Sequence, residues 1–405
     1  MSTKTTIIGA LGIFLLIAGV MIWLFISENQ TTEGEFRSGT NGFLNFFPFG
    51  NQPTTDNRQP TTGNGTTEEN REAELKNLQQ LSSMSVAGAV VFSDNGKLFV
   101  RFTERSTGHT YDVPAEGGTL KRVSNTTVPK VYEALWFPNA TSSVILRYLG
   151  SSENITTYSA TLRDNGIEKE LGGIFLPRNT KSIALSPDGK RVAYLVEGAS
   201  GASVMTSNTD GGKKTEVFSS PVNDWQVGFP STATLTLSTK PSGGAFGYFY
   251  ALTLSNLKMT RLLGDRAGLT ALANPTLSRV VFSESTERSL SLKQLTTKNG
   301  AVTDLPLATL ARDKCIWDRS DTLLLCAVPS DLPPALYPDA WYQGTVSFTD
   351  SLWQLDLESG NATLIDLLDV PLGLDVEKPF QDSKGDFFFF TNKKDGTLWA
   401  LRLTE

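Results

Sequence analysis

From residue 86 onward the chain restates one short pattern: an apolar strand, a turn of Pro/Asp/Gly type, a second apolar strand, then a third such as "LWQLDL" or "LWALRL". The fullest copy is "IALSPDGKRVAYL", residues 183–195. A unit of this kind cannot bury both of its faces alone and must stack on its neighbours. The repeat therefore decides the architecture before any chemistry is considered.

Aligned turns fall at Asp94, Pro138, Pro187, Pro230, Pro275, Arg319 and Asp382, giving intervals of 44, 49, 43, 45, 44 and 63 residues. A period near 40–50 with four strand signals per unit belongs to β-propellers. Period-2 alternation and Thr/Val/Phe/Tyr content in "RVAYLV", "TLTLST" and "DFFFFT" argue against helical repeats. Outer strands recur as well, each pair joined by a polar Gly/Asn/Asp turn, as in "VMTSNTDGGKKTEVF" and "LWQLDLESGNATLI". The last unit ends after its third strand, at "LWALRLTE". The segment around 78–84 is placed to supply the missing outer strand and close the ring, which removes exposed sheet edges. The expected fold is all-β, a seven-bladed β-propeller over 86–405, with six or eight blades as alternatives.

"IALSPDGKRVAYL", with weaker copies "AVVFSDNGKLFV", "ALWFPNATSSVIL" and "ALANPTLSRVVFS", resembles the repeat of TolB-like β-propellers. It resembles WD-repeat proteins more loosely, because their Gly-His and Trp-Asp signatures are missing. One unit alone carries the full Ser-Pro-Asp-Gly, and several turns lack Gly. The resemblance implies a protein-binding platform in an extracytoplasmic setting.

Ahead of the repeat, residues 6–26 carry no charge. A run of roughly 20 apolar residues spans a hydrocarbon core about 30 Å thick. Residues 1–27 are expected to be an uncleaved transmembrane anchor. Lys4 precedes the span and Glu28, Glu33 and Glu35 follow it, which puts the N-terminus in the cytoplasm and the propeller outside. Residues 28–69, rich in Asn, Thr, Gly, Gln and Pro, are expected to form a disordered tether. The exception is "GFLNFFPFG" at 42–50, either local apolar clustering or a short docking motif. Residues 70–85 are assigned to a short helix, begun by a Thr cap at 66 or 67 and running to 81, and to the ring-closing segment. A net charge of −6 without clustered Lys/Arg excludes nucleic acid as a partner.

Catalytic constellations are scarce. The single histidine, His109, leaves no Ser/His/Asp triad without it, and no Gly-x-Ser-x-Gly elbow, phosphate loop or dinucleotide fingerprint occurs. His-based and four-Cys zinc sites are excluded. The expectation is therefore no metal, no cofactor and no enzyme activity. Carboxylate-only chemistry on glycans or lactones is the alternative, for which Glu133, Asp224, Asp313 and Glu377 are candidates at the starts of innermost strands. Cys315 and Cys326 flank "IWDRSDTLLL", whose turn brings them opposite each other on neighbouring strands, within reach of a disulfide.

The long interval holds an insertion, "SDLPPALYPDAWYQGTV" (330–346), between a second and a third strand. Its rings are suited to recognition, although they could equally fold back over the blade. The candidate binding set is Tyr337, Asp339, Trp341 and Tyr342 with Asp224, Trp225, Asp313 and Glu377. The expected partner is a protein or a cell-envelope polymer.

Overall fold

The computed structural model describes residues 77–403 apart from 140, 151–153, 165–168, 287–288, 319–320, 367, 369 and 372. The expected anchor at 6–26, the tether at 28–69, the Phe-rich 42–50 and the turn anchor Arg319 lie outside the described residues. Among the described residues no helix is long and apolar enough to cross a membrane.

The chain begins with β1 (Leu78–Ser82), then β2 (Val86–Asp94), β3 (Lys97–Glu104), β4 (Thr110–Pro114) and β5 (Lys121–Ser124). Next come β6 (Val131–Trp136), β7 (Ser143–Leu149), β8 (Ile155–Asp164), β9 (Lys169–Phe175), β10 (Thr180–Leu185), β11 (Arg191–Gly198), β12 (Gly201–Asn208) and β13 (Thr215–Ser220). They are followed by β14 (Trp225–Ser231), β15 (Thr234–Thr239), β16 (Phe246–Thr253), β17 (Lys258–Ala267), β18 (Thr270–Ala273), β19 (Arg279–Thr286), β20 (Ser289–Thr296) and β21 (Ala301–Leu305). A one-turn helix α1 (Ala311–Lys314) precedes β22 (Cys315–Trp317) and β23 (Leu323–Pro329). A second, α2 (Asp339–Tyr342), precedes β24 (Asp350–Asp356) and β25 (Ala362–Asp366), and β26 (Val376–Gln381), β27 (Phe387–Asn392) and β28 (Leu398–Arg402) end the fold.

Five four-stranded antiparallel sheets stand separately: β10–β13, β14–β17, β18–β21, β22–β25, and β26–β28 with β1. Strands β2–β9 form one eight-stranded sheet, in which two meanders meet at a parallel bridge between Ser124 and Lys169. The structure is thus an all-β, propeller-like fold with five separate blades where the repeat predicts seven. The difference arises because that bridge merges two meanders. The helix expected to reach residue 81 is corrected: from Leu78 the chain is strand, with Leu78 opposite Leu401 and Ser82 opposite Leu398. Ladder pairing and burial of Leu78 and Leu81 outweigh local helix preference.

The repeated turn has a side-chain lock. In the Ser-Pro-Asp-Gly copy the Arg191 amide donates to Ser186 Oγ at 2.9 Å, and Ser186 Oγ donates to Asp188 Oδ1 at 2.6 Å. Other units reproduce the five-residue span with different chemistry. The amides of Arg279, Leu323 and Phe387 donate to Asn274 Oδ1, Asp318 Oδ1 and Asp382 Oδ1. Short polar side chains that bond backbone amides hold such turns, so copies without the full motif still close.

The core lies between successive sheets. Phe388 and Phe390 pack on Leu325, Ala327 and Leu352 on one side of β27. Phe387 and Phe389 pack on Val86, Val100 and Phe102 on the other. Alternate residues face opposite ways along a strand, so "FFFF" fills two interfaces at once, each ring contributing about 1.5–3 kcal/mol by burial. Further clusters fill the gaps between the remaining neighbours in the same way.

Candidate functional site

In a four-stranded meander the starts of the first and third strands and the ends of the second and fourth share one face. Helix α1, the insertion between β23 and β24, and the starts of β6, β14, β22 and β26 therefore all lie on that face. Glu133, Asp224, Asp313 and Glu377 stand at or next to these strand starts, with Glu133 held by Arg147 at 2.7 Å.

The insertion is a strap. It runs back from its own sheet to the loop before β16, where the Gly243 amide donates to Asp339 Oδ2 at 2.6 Å. On the way Ser285 Oγ donates to the Tyr337 carbonyl. Tyr337 and Trp341 are buried with Phe348, Leu290 and Leu310, and the Tyr337 hydroxyl donates to the Pro333 carbonyl at 2.6 Å. As partner-facing rings, Tyr337 and Trp341 are corrected: they fold under the strap because their apolar area is otherwise left in water. Tyr342 is partly open, with 37% of its surface in water and its hydroxyl turned in toward Asp313.

Beneath the strap lies a charge cluster that sequence reasoning missed. Lys314 Nζ donates to Asp350 Oδ2 at 2.5 Å, to Asp375 Oδ1 at 2.8 Å and to the Val376 carbonyl at 2.9 Å, with no solvent exposure at any of the three side chains. Trp341 Nε1, Ser347 Oγ and the Phe348 amide all donate to Asp375. The Lys314 ammonium also sits 5.0 Å from the Trp341 ring and 5.1 Å from Phe348. Burial alone would raise Asp375; the Lys314 ammonium and these hydrogen bonds outweigh it and hold the carboxyl below its usual range. Asp350 is pushed up by burial, which Lys314 only partly offsets, and its Oδ1 has no partner. One ammonium is shared between two acids, so only one carboxylate is fully neutralised. The clue in the sequence is slight, because the partners stand 36 and 61 residues from Lys314.

Next to Lys314 on α1, the Tyr342 hydroxyl donates to Asp313 Oδ2 at 2.8 Å. Burial raises Asp313, with Glu377 adding to the shift and Arg312, Tyr342 and Lys314 opposing it. Tyr342 is raised well above its ordinary value by burial and then by Asp313. Arg312 turns the other way and donates to Gln226 Oε1 and to the Val227 carbonyl. Glu377 faces Arg105 at 3.9 Å. Asp313, Tyr342, Asp339 and Glu377 are thus brought together around one mouth. Asp224 is exposed on the neighbouring loop, and Trp225 is half-buried, edge-on to Phe218 and Tyr250. A carboxyl held protonated into a higher pH range beside an arginine-faced carboxylate can donate a proton while its neighbour accepts one.

Cys315 and Cys326 are register partners on β22 and β23 and form the expected disulfide. His109 is half-buried, its Nε2 3.1 Å from Thr127 Oγ1. Among the described residues no group of three or more His, Cys, Asp or Glu is placed to hold a metal ion.

The chain matches no family model and no curated relative. Among solved structures it is similar to oligogalacturonate lyase from Vibrio parahaemolyticus, with a TM-score of 0.54 at 8% identity over 81% of this chain and 94% of that one. A puromycin hydrolase mutant gives 0.50 at 13% identity over 76% and 50%. TolB from Acinetobacter baumannii gives 0.43 at 10% identity over 71% and 65%, too loose to carry more than its presence among the neighbours. The expectation that the chain is not an enzyme is overturned: a lyase and a hydrolase share this fold, so the missing His/Ser/Cys constellation is no ground for excluding catalysis. At these identities the likeness shows the fold alone, an all-β propeller-like ring.

Proposed function

We propose that this protein is a membrane-tethered, extracytoplasmic propeller that binds a protein or a cell-envelope polymer on its strapped face. We count the eight-stranded sheet as two blades joined by one bridge, which makes the ring seven-bladed, with β1 as the last outer strand. The uncharged run at 6–26 and the lysine before it support the tether and its direction, and the disulfide suits an oxidising compartment.

The observation that carries the binding reading is a set of exposed apolar side chains on the strapped face. Phe246 and Phe175 are 66% and 63% exposed, Val222 and Leu336 are exposed as well, and Leu336 lies against the Gly243–Gly244 turn that leads into Phe246. Between Phe175 and Val222 lies a cavity of about 560 Å³ lined by Pro177, Tyr194, Val196, Met205 and Pro221. Exposed apolar groups gathered beside a cavity mark interaction sites. Crosslinking in intact membranes tests this. Phe246→Ser with Leu336→Ser should lose the partner that wild type captures, whereas Leu257→Ser, on an exposed turn of the opposite face, should keep it. Equal capture by both would reject the reading.

The raised Asp313 carboxyl favours a second reading, carboxylate-dependent turnover of a glycan or lactone at the mouth, with Asp313 as acid and Glu377 as base. Turnover of such a panel should fall at least about a hundredfold in Asp313→Asn; a panel untouched by wild type removes this reading and leaves the first intact.

A further inference from the structure

On the opposite side of the ring, at the seam where the eight-stranded sheet is joined, a second cavity of about 400 Å³ opens, lined by Arg101, Asp112, Lys121, Arg122, Asp164 and Lys169. We propose that this seam is an anion-binding site for compact carboxylate or phosphate groups, distinct from the strapped mouth and independent of the function assigned to it.

The floor is built. Arg101 is buried and its guanidinium is fixed on three sides, by both oxygens of Asp112 at 2.7 Å and by the Thr141 carbonyl at 2.7 Å. Its ion pair with Asp112 neutralises the floor, so the walls set the sign. Lys121 stands opposite Asp112 in the β4–β5 ladder, Arg122 follows it, and Lys169 begins β9 at the bridge to Ser124. Among the described residues none of these three cations forms an ion pair with a carboxylate. Among the described lining residues, these three cations against Asp164 make the balance positive in a chain whose net charge is −6. Positive groups converging on a concave, low-dielectric surface focus the field and concentrate anions there. Arginine adds paired donors matched to carboxylate or phosphate oxygens.

The bridge explains why the cations converge. Pairing Ser124 with Lys169 draws the outer strands of two meanders together. Side chains that would splay apart on separate sheets then share one cleft.

Calorimetric titration of the full-length chain in detergent, at low salt, tests the site with pyrophosphate and citrate as probes and glucose as an uncharged control. Saturable binding of at least one anion with a Kd below roughly 1 mM is expected. It should weaken about tenfold or more in the Lys121→Gln/Lys169→Gln double variant, and weaken in wild type as salt is raised. Lys240→Gln, an exposed lysine of the other face, should bind like wild type. Citrate alone would identify a carboxylate site and pyrophosphate alone a phosphate site. No saturable binding by either anion, or equal binding in the double variant, overturns the proposal.

Discussion

Lys314 shows how one residue can carry more than its local sequence suggests. In "ARDKC" it reads as a surface lysine at the end of a short polar stretch, yet it is wholly buried between Asp350 and Asp375. Removing one partner of a buried ion pair strands the other charge. Lys314→Met should therefore cost about 3–5 kcal/mol at neutral pH by urea unfolding, and less near pH 4, where the abandoned carboxylates can protonate. The two acids respond to pH in opposite senses. Asp375, held low, contributes stability above its ordinary value of 3.8 that is lost as pH falls through its depressed value. Asp350, held high, contributes fully below 3.8, and that contribution is lost as pH rises through its elevated value. Asp375→Asn should accordingly flatten the acid limb of the stability profile; an unchanged limb would show that another group sets it.

The strap is the element whose presence was legible and whose orientation was not. Its length, prolines and aromatic content stand out in the sequence because they interrupt an otherwise even period. Which rings face water is a non-local matter, set by Leu290 on β20, Leu310 just before α1 and Asp375 just before β26. Truncating Trp341 to Ala removes a buried ring, the indole donor to Asp375 and the cover over Lys314. A loss of about 3–5 kcal/mol is expected. If the strap opens locally before the ring unfolds, limited proteolysis should cut within 330–346 in this variant while the blades stay intact. Cleavage spread evenly over the blades would argue against a separately opening strap. By contrast the disulfide was legible, because its two cysteines sit symmetrically about one turn, within a single hairpin.

At the scale of the whole molecule, closure rests on β1, whose pairing with β28 joins the first strand of the fold to its last sheet. Leu78→Ser with Leu81→Ser removes two buried side chains from the closing sheet and its interfaces. The expected cost is about 3–6 kcal/mol, with β28 left as a free edge that promotes association. Thermal unfolding followed by light scattering should show a lower midpoint and earlier aggregation; an unchanged midpoint would mean that the ring holds without β1. The sequence by itself determined the repeat, the turns that register each hairpin, the disulfide and the place of the insertion. All of these depend on contacts within about a dozen residues of one another or on a period that any reader can align. Only the tertiary structure decided that the insertion's rings lie inward, that Lys314 is shared by two acids, and that cations from two meanders converge at one seam. Those outcomes depend on which distant strands become neighbours, and burial and charge pairing act through space, across separations that local periodicity does not encode.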